Sequence, residues 1–157
     1  MNTTETKVKS YRNLPELELK YKSGKNEKVK IKSSIDAANL LRKVFNADTI
    51  EYNEEVIVLY LNGANKTIGW IKHSTGGTTQ SVLDVKMILT SGLLCGASNI
   101  ILAHNHPSGE MRPSEADKVI TRRLKAGCDA IGMSLIEHII LSGEDENYYS
   151  FSDDGRM

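Results

Sequence analysis

A single α/β domain with a mixed β-sheet flanked by helices is the fold this sequence predicts. Apolar runs of strand length alternate with stretches whose apolar residues recur at helical spacing. Some strand pairs are joined by short turns and others are separated by a helix, so antiparallel and parallel pairing should coexist. The length of 157 residues, with 39% hydrophobic and 25% charged content, suits one core.

The elements follow in order. Residues 1–32 read as a polar tail followed by an edge hairpin, and residues 33–157 as the domain proper. In the hairpin, Leu17 to Lys22 and Val29 to Lys32 alternate apolar and polar at period two, and their lysines discourage further pairing. Ser33, with Asp36 as its capping partner, opens a helix patterned Ile35, Ala38, Leu41, Val44 and Phe45. Val56 to Leu61 is apolar enough for a strand buried on both faces, and Asn62-Gly63 turns it into a partner at Thr67 to Ile71. A Gly-rich loop at Ser74 to Thr79 leads to an apolar helix over about Ser81 to Leu94. Ile100 to His106 is the next strand. Ser114 to Lys125 is a helix with Val119, Ile120 and Leu124 inward and Gly127 as its stop. Met133 to Leu141 and a short Asn147 to Phe151 close the chain, giving the order βαββαβαβ.

Composition narrows the function classes. Lys plus Arg and Asp plus Glu number 20 each, so the formal net charge is zero and nothing global attracts nucleic acid. Cys95 and Cys128, far apart and without a CxxC, imply neither a disulfide framework nor a thiolate zinc cluster; both are expected to be buried free thiols. The N-terminus lacks the apolar centre of a signal peptide, and no run of about 18 apolar residues occurs, so the expected location is cytoplasmic, away from membranes.

The chemistry concentrates between Ile100 and Asp117. On a strand, His104 and His106 share a face and can reach one metal ion, and Asp117 can add an oxygen from the first turn of the next helix. Two imidazoles and a carboxylate are a common catalytic zinc set with the fourth position open to water. Ser114, one turn before Asp117, is a candidate hydrogen-bond donor to a developing oxyanion. Taken alone, Ser114-x-x-Asp117 is also an ordinary helix cap and His-x-His an incidental pair. The contiguous HNH is not the spread-out arrangement of HNH nucleases. A deaminase HxE with PCxxC and a zincin HExxH are both absent.

The spacing His104-x-His106, seven residues, Ser114, two residues, Asp117 resembles the JAMM motif of JAB/MPN metallopeptidases. HNHPSG with PSEAD is similar to the RadC-type branch, as are EEVIVLYLN, Gly76-Gly77 with Asp84, Glu137-His138-Ile139-Ile140 and YYSFSDDG. The likeness covers roughly residues 33 to 155. It implies a JAB/MPN fold with a deaminase-like layout, one zinc ion, and a metallopeptidase-like hydrolase in which metal-bound water attacks an amide of a peptide or protein. It also implies a glutamate base at the start of the central strand. Glu54 and Glu55 both stand there, and counting back from Leu61-Asn62 puts Glu54 on the family position.

The same resemblance brings an alternative: a non-catalytic metal-binding protein in DNA repair or mobile-element metabolism. Relatives often carry a helix-hairpin-helix segment before this domain, and too few residues precede Ser33 for one. That and the zero net charge argue against direct DNA binding. Glu137 and Ser81 replace the aspartate and threonine common in the family, away from the expected ligands. His138 is expected to be a core or supporting histidine and His73 a loop histidine. Gly76-Gly77 and Ser108-Gly109 are candidate substrate contacts. Nothing in the sequence specifies an oligomer.

Overall fold

The computed structural model of the protein describes residue 25 and residues 27–76 and 83–157. In chain order its elements are α1 (Ser34–Val44), β1 (Glu54–Leu61), β2 (Thr67–Gly76), α2 (Val85–Cys95), β3 (Asn99–His106), α3 (Glu115–Ala130), β4 (Ser134–Ser142) and β5 (Tyr148–Ser150). The five strands form one sheet in the order β2-β1-β3-β4-β5. β1 pairs antiparallel with both β2 and β3, β3 runs parallel to β4, and β5 returns antiparallel. The mixed sheet is therefore as expected, and its one parallel pair is the one joined by the helical crossover α3.

Alternation along the strands divides the core in two. Ile57, Leu59, Leu61, Ile101, Ala103, Ile139 and Leu141 pack with Ala37, Ala38, Leu41 and Phe45 of the α1 layer. Val56, Val58, Tyr60, Ile100, Leu102 and Leu135 pack with Ile88 of α2 and with Leu124 and Cys128 of α3. A sheet covered on both faces explains why β1 and β3 read as continuous apolar runs. Each aliphatic side chain fully buried this way contributes on the order of 1.5–3 kcal/mol.

Several expectations need correction. Among the described residues, the segment 29–32 pairs with the β1–β2 turn. It forms a single bridge, Lys30 to Lys66, and exchanges backbone hydrogen bonds with Asn65 and Thr67 at the β1–β2 turn. Its proposed partner at 17–22 lies outside the described residues. Ser33 does cap α1, accepting from Asp36 N at 3.3 Å. Ile35, however, is exposed, because Ala37 rather than Ile35 completes the buried stripe with Ala38 and Leu41. Val119 is likewise exposed, on the side of α3 opposite Thr121, Leu124 and Cys128.

The glycine-rich stretch begins inside β2, which runs on to Gly76. α2 starts at Val85, capped by the Asp84 carboxylate, and residues 81–82 lie outside the described set. Gly127 does not stop α3, which continues to Ala130. A Cβ at position 127 would sit 2.8 Å from Leu89 Cδ1, so this glycine serves the close approach of α2 to α3. Both cysteines are free, but only Cys128 is buried; Cys95 is half-buried. No helix among the described residues is long and apolar enough to cross a membrane.

Candidate metal centre

The site sits where the crossover begins. In a βαβ unit the helix starts beyond the C-terminal end of the first strand, the usual place for a site in such a sheet. His104 and His106 end β3, two apart, on the face shared with Leu102 and covered by α2 and α3. Ser114 caps α3 and Asp117 is its third residue, so a capping box delivers the carboxylate to the strand end.

The three expected ligands do come together. His104 Nε2 lies 3.0 Å from His106 Nε2 and 3.3 Å from Asp117 Oδ1, and His106 Nε2 lies 3.7 Å from Asp117 Oδ2. All their ligand atoms fall within 4.8 Å of one another. His106 Nδ1 is 2.5 Å from the Glu110 carbonyl, which can only accept. Nδ1 therefore carries a proton, and Nε2 is turned toward His104 and Asp117. Groups so placed need a proton or a cation among them, and two imidazole nitrogens with one carboxylate oxygen fit zinc with a position to spare.

Asp117 is held ionised. Burial pushes its carboxyl up, but the His104 ring, which in its protonated form donates to it and carries positive charge, and the Ser114 hydroxyl and N–H outweigh burial and leave it well below the usual range. The Ser114 N–H and Oγ–H both donate to Asp117 Oδ2 at 2.7 Å, while Oδ1 faces His104. The cap expected at Ser114 and Asp117 is present, and the same carboxylate that completes it faces His104.

Glu54 and Glu55 separate as alternation requires. Glu55 is buried on the α1 side, 2.7 Å from Lys72 Nζ and accepting from Thr49 Oγ1 at 3.1 Å. Glu54 instead lines a cavity of about 300 Å³ with Val56, His104, His106, Ser114, Asp117 and His138. Register explains this: Val56 pairs with His104 across β1 and β3, so Glu54 and His106, each two residues on, lie toward the same end. The strand that carries Glu54 and the strand that carries His104 and His106 are neighbours.

His138 supports this site as a neighbour of His104, with Nε2 2.8 Å from His104 Nδ1 and Nδ1 2.7 Å from Thr121 Oγ1. Burial first, and the adjacent His104 second, drive its pKa well below the ordinary histidine value, so it is neutral. Phe151 stacks on its ring at 4.4 Å. His73 is not a loop histidine but a residue of β2, and its Nε2 accepts from Asp84 N at 2.8 Å. Ser108 and Gly109 are not among the cavity-lining residues; Gly109 N–H instead donates to the His106 carbonyl. Gly77 lies outside the described residues.

Two residues escaped the sequence reading. Asn105, fully buried between the two histidines on the opposite face, accepts from Glu55 N at 2.7 Å and donates to Ile50 O at 2.6 Å and Asn53 O at 2.8 Å. It thereby grips the backbone on both sides of Glu54. Thr121 is the other, a buried hydroxyl on α3 beside His138. The available signal was an amide inside an apolar strand and a hydroxyl on an inward helix face, both of which need partners.

A mixed sheet whose strand-end His-x-His meets a helix-borne carboxylate defines a JAB-type domain. Residues 31–156 match the RadC-like JAB domain family, and the chain belongs to that family. It is 39% identical over 126 residues to a UPF0758 protein of Flavobacterium johnsoniae, spanning 80% of this chain and 53% of that one. A UPF0758 protein of Aquifex aeolicus is 35% identical over 142 residues, 90% of this chain and 58% of the relative. One of Porphyromonas gingivalis is 42% identical over 104 residues, 66% and 45% respectively. The chain therefore spans about half the length of these relatives.

Proposed function

We propose that this domain is a zinc-dependent hydrolase that cleaves an amide bond of a peptide or protein. The observation that carries the reading is the convergence of His104 Nε2, His106 Nε2 and Asp117 Oδ1 on a cavity that Glu54 also lines. His104, His106 and Asp117 would hold one ion, leaving the cavity side open. Zinc bound there supplies Lewis acidity and lowers the pKa of a bound water from about 15.7 toward about 7.

The remaining work belongs to the chain. Glu54 takes up a proton at its carboxylate and returns it to the leaving nitrogen, a role its face of β1 permits and Glu55, tied to Lys72, does not. Ser114 donates to the oxygen of the scissile carbonyl as charge builds there. Its hydroxyl proton rests on Asp117 Oδ2, so this requires rotation about one Cβ–Oγ bond. One such donor is worth about 2.7–4 kcal/mol of barrier in related chemistry.

Metal analysis coupled to substitution tests the reading. Zinc-supplemented protein should carry one zinc per chain, His106→Ala should lose it, and Glu54→Gln should keep it while abolishing any amide hydrolysis found with a peptide panel. Protein that takes up no zinc, or a Glu54→Gln variant as active as the parent, sinks the proposal.

A further inference from the structure

We infer that Thr121 and His138 are positioning residues that fix the proton of His104 on Nδ1, so that His104 presents Nε2 to the cavity as a lone pair. The consequence for metal binding rests on the zinc reading above; the proton assignment rests on geometry alone. Thr121 Oγ1 lies 2.6 Å from the Asp117 carbonyl oxygen and 2.7 Å from His138 Nδ1. A carbonyl oxygen only accepts, so the hydroxyl proton is committed to Asp117 O. Were it turned toward His138, two oxygens would face each other at 2.6 Å with no proton between them.

Thr121 Oγ1 is therefore an acceptor on its other side, and His138 carries its proton on Nδ1. The second nitrogen of His138, Nε2, is left as an acceptor 2.8 Å from His104 Nδ1. His104 donates there, so its Nδ1 carries a proton and, in the neutral ring that binds a metal, Nε2 is the free lone pair. Both Thr121 and His138 are 1% exposed, so water has no access to substitute for either partner. Phe151, stacked on His138 with the rings 9° from parallel, holds the plane that makes both contacts possible.

His106 reaches the same tautomer by a separate route, through the Glu110 carbonyl. The two ligand histidines are thus set independently, one by backbone and one by a side-chain relay anchored in α3. Without the relay, His104 has two tautomers open to it, and one of them points a proton into the donor set. Partners of this kind, one bond removed from the ligand, typically change metal affinity by about 10- to 100-fold.

The test uses ¹⁵N-labelled, metal-free protein and long-range ¹⁵N–¹H correlation of the imidazole rings. His138 and His104 should both carry a proton on Nδ1, with the His104 proton in the hydrogen bond to His138 Nε2. Thr121→Val keeps the shape and removes the hydroxyl: His138 and His104 should leave that form, and zinc affinity measured against a chelator should fall about 10- to 100-fold. Thr121→Ser should restore both readouts, which a general packing defect would not. If Thr121→Val fails to fold, the parent spectrum and Thr121→Ser still decide. A parent protein with His138 protonated on Nε2, or a folded Thr121→Val with parental tautomers and zinc affinity, overturns the inference. Parental rings in the assigned form together with no zinc uptake would leave the relay standing and remove the zinc reading instead.

Discussion

Replacing Asn105 with alanine is the sharpest probe of how the two halves of the site are joined. The amide makes three hydrogen bonds to backbone, from Glu55 N and to Ile50 O and Asn53 O, and is fully buried. A buried hydrogen bond contributes about 0.5–1.5 kcal/mol net, so three lost together come to roughly 3 kcal/mol. Glu55 N–H is buried and is left unsatisfied; Ile50 and Asn53 are half-buried, so water can recover part of their share. The expected loss is therefore about 3 kcal/mol, a large fraction of the roughly 5–15 kcal/mol that holds a domain together. Urea unfolding measures it directly. Amide exchange adds a local readout, since the Glu55 N–H should lose protection before the interior of β1 does. A change under about 0.5 kcal/mol with Glu55 exchange unaltered would mean that Thr49 and Lys72, which hold the Glu55 carboxylate, fix this corner without Asn105, and the argument would be wrong.

Three further outcomes follow from the same geometry. Lys72→Met strands the buried Glu55 carboxylate; with Lys72 itself 42% exposed, the cost by denaturation should be about 1–2 kcal/mol rather than the 3–5 of a fully buried pair, and zinc uptake should not change. Gly143→Ala places a Cβ 2.7 Å from Ile50 O and 3.0 Å from Pro107 Cα, both backbone, so it should cost about 1–3 kcal/mol and lower the melting temperature. Because Gly143 N–H also donates to the His106 carbonyl, the same variant should weaken zinc binding in a chelator competition. Glu137 is buried, which raises its carboxyl above the ordinary value against the pull of Ser150, Ser152 N–H and His138 N–H. The folded chain then holds a proton that the unfolded chain has released, so stability falls as pH rises from about 4.3 through the raised value. Glu137→Gln should flatten that part of the stability–pH curve, and an unchanged curve in urea titrations across that range would refute it.

The parts of the site carried by strand alternation and helix capping were legible from residue types alone. Period two put His104 with His106 and split Glu54 from Glu55, and the spacing of Ser114 and Asp117 announced a helix start that the structure contains. What was not legible depends on register between strands and on which face of a helix is turned inward. His138 was expected as a core or supporting histidine, but that it supports His104 depends on β3 and β4 running parallel with Leu102 opposite His138, a pairing no local pattern encodes. Val119 and Thr121 show the helix version: the more apolar residue is exposed and the hydroxyl is buried, because α3 turns a polar contact toward His138. Gly127 misled for a related reason. A glycine ends a helix when backbone freedom is needed, but here it lies inside the helix with Leu89 of α2 packed against it, and only the packing distinguishes the two.

Asp117 stands at once in the first turn of α3 and among the three converging donors, and that double membership ties occupancy to folding. Anything bound through its carboxylate also clamps the helix start, and fraying of that first turn releases whatever is bound. Occupancy of the site and order at the head of α3 then become reciprocal quantities, each readable from the other. Thermal stability measured against zinc concentration would report on the helix, and amide exchange at Asp117 and Lys118 would report on the metal, with no substrate needed for either.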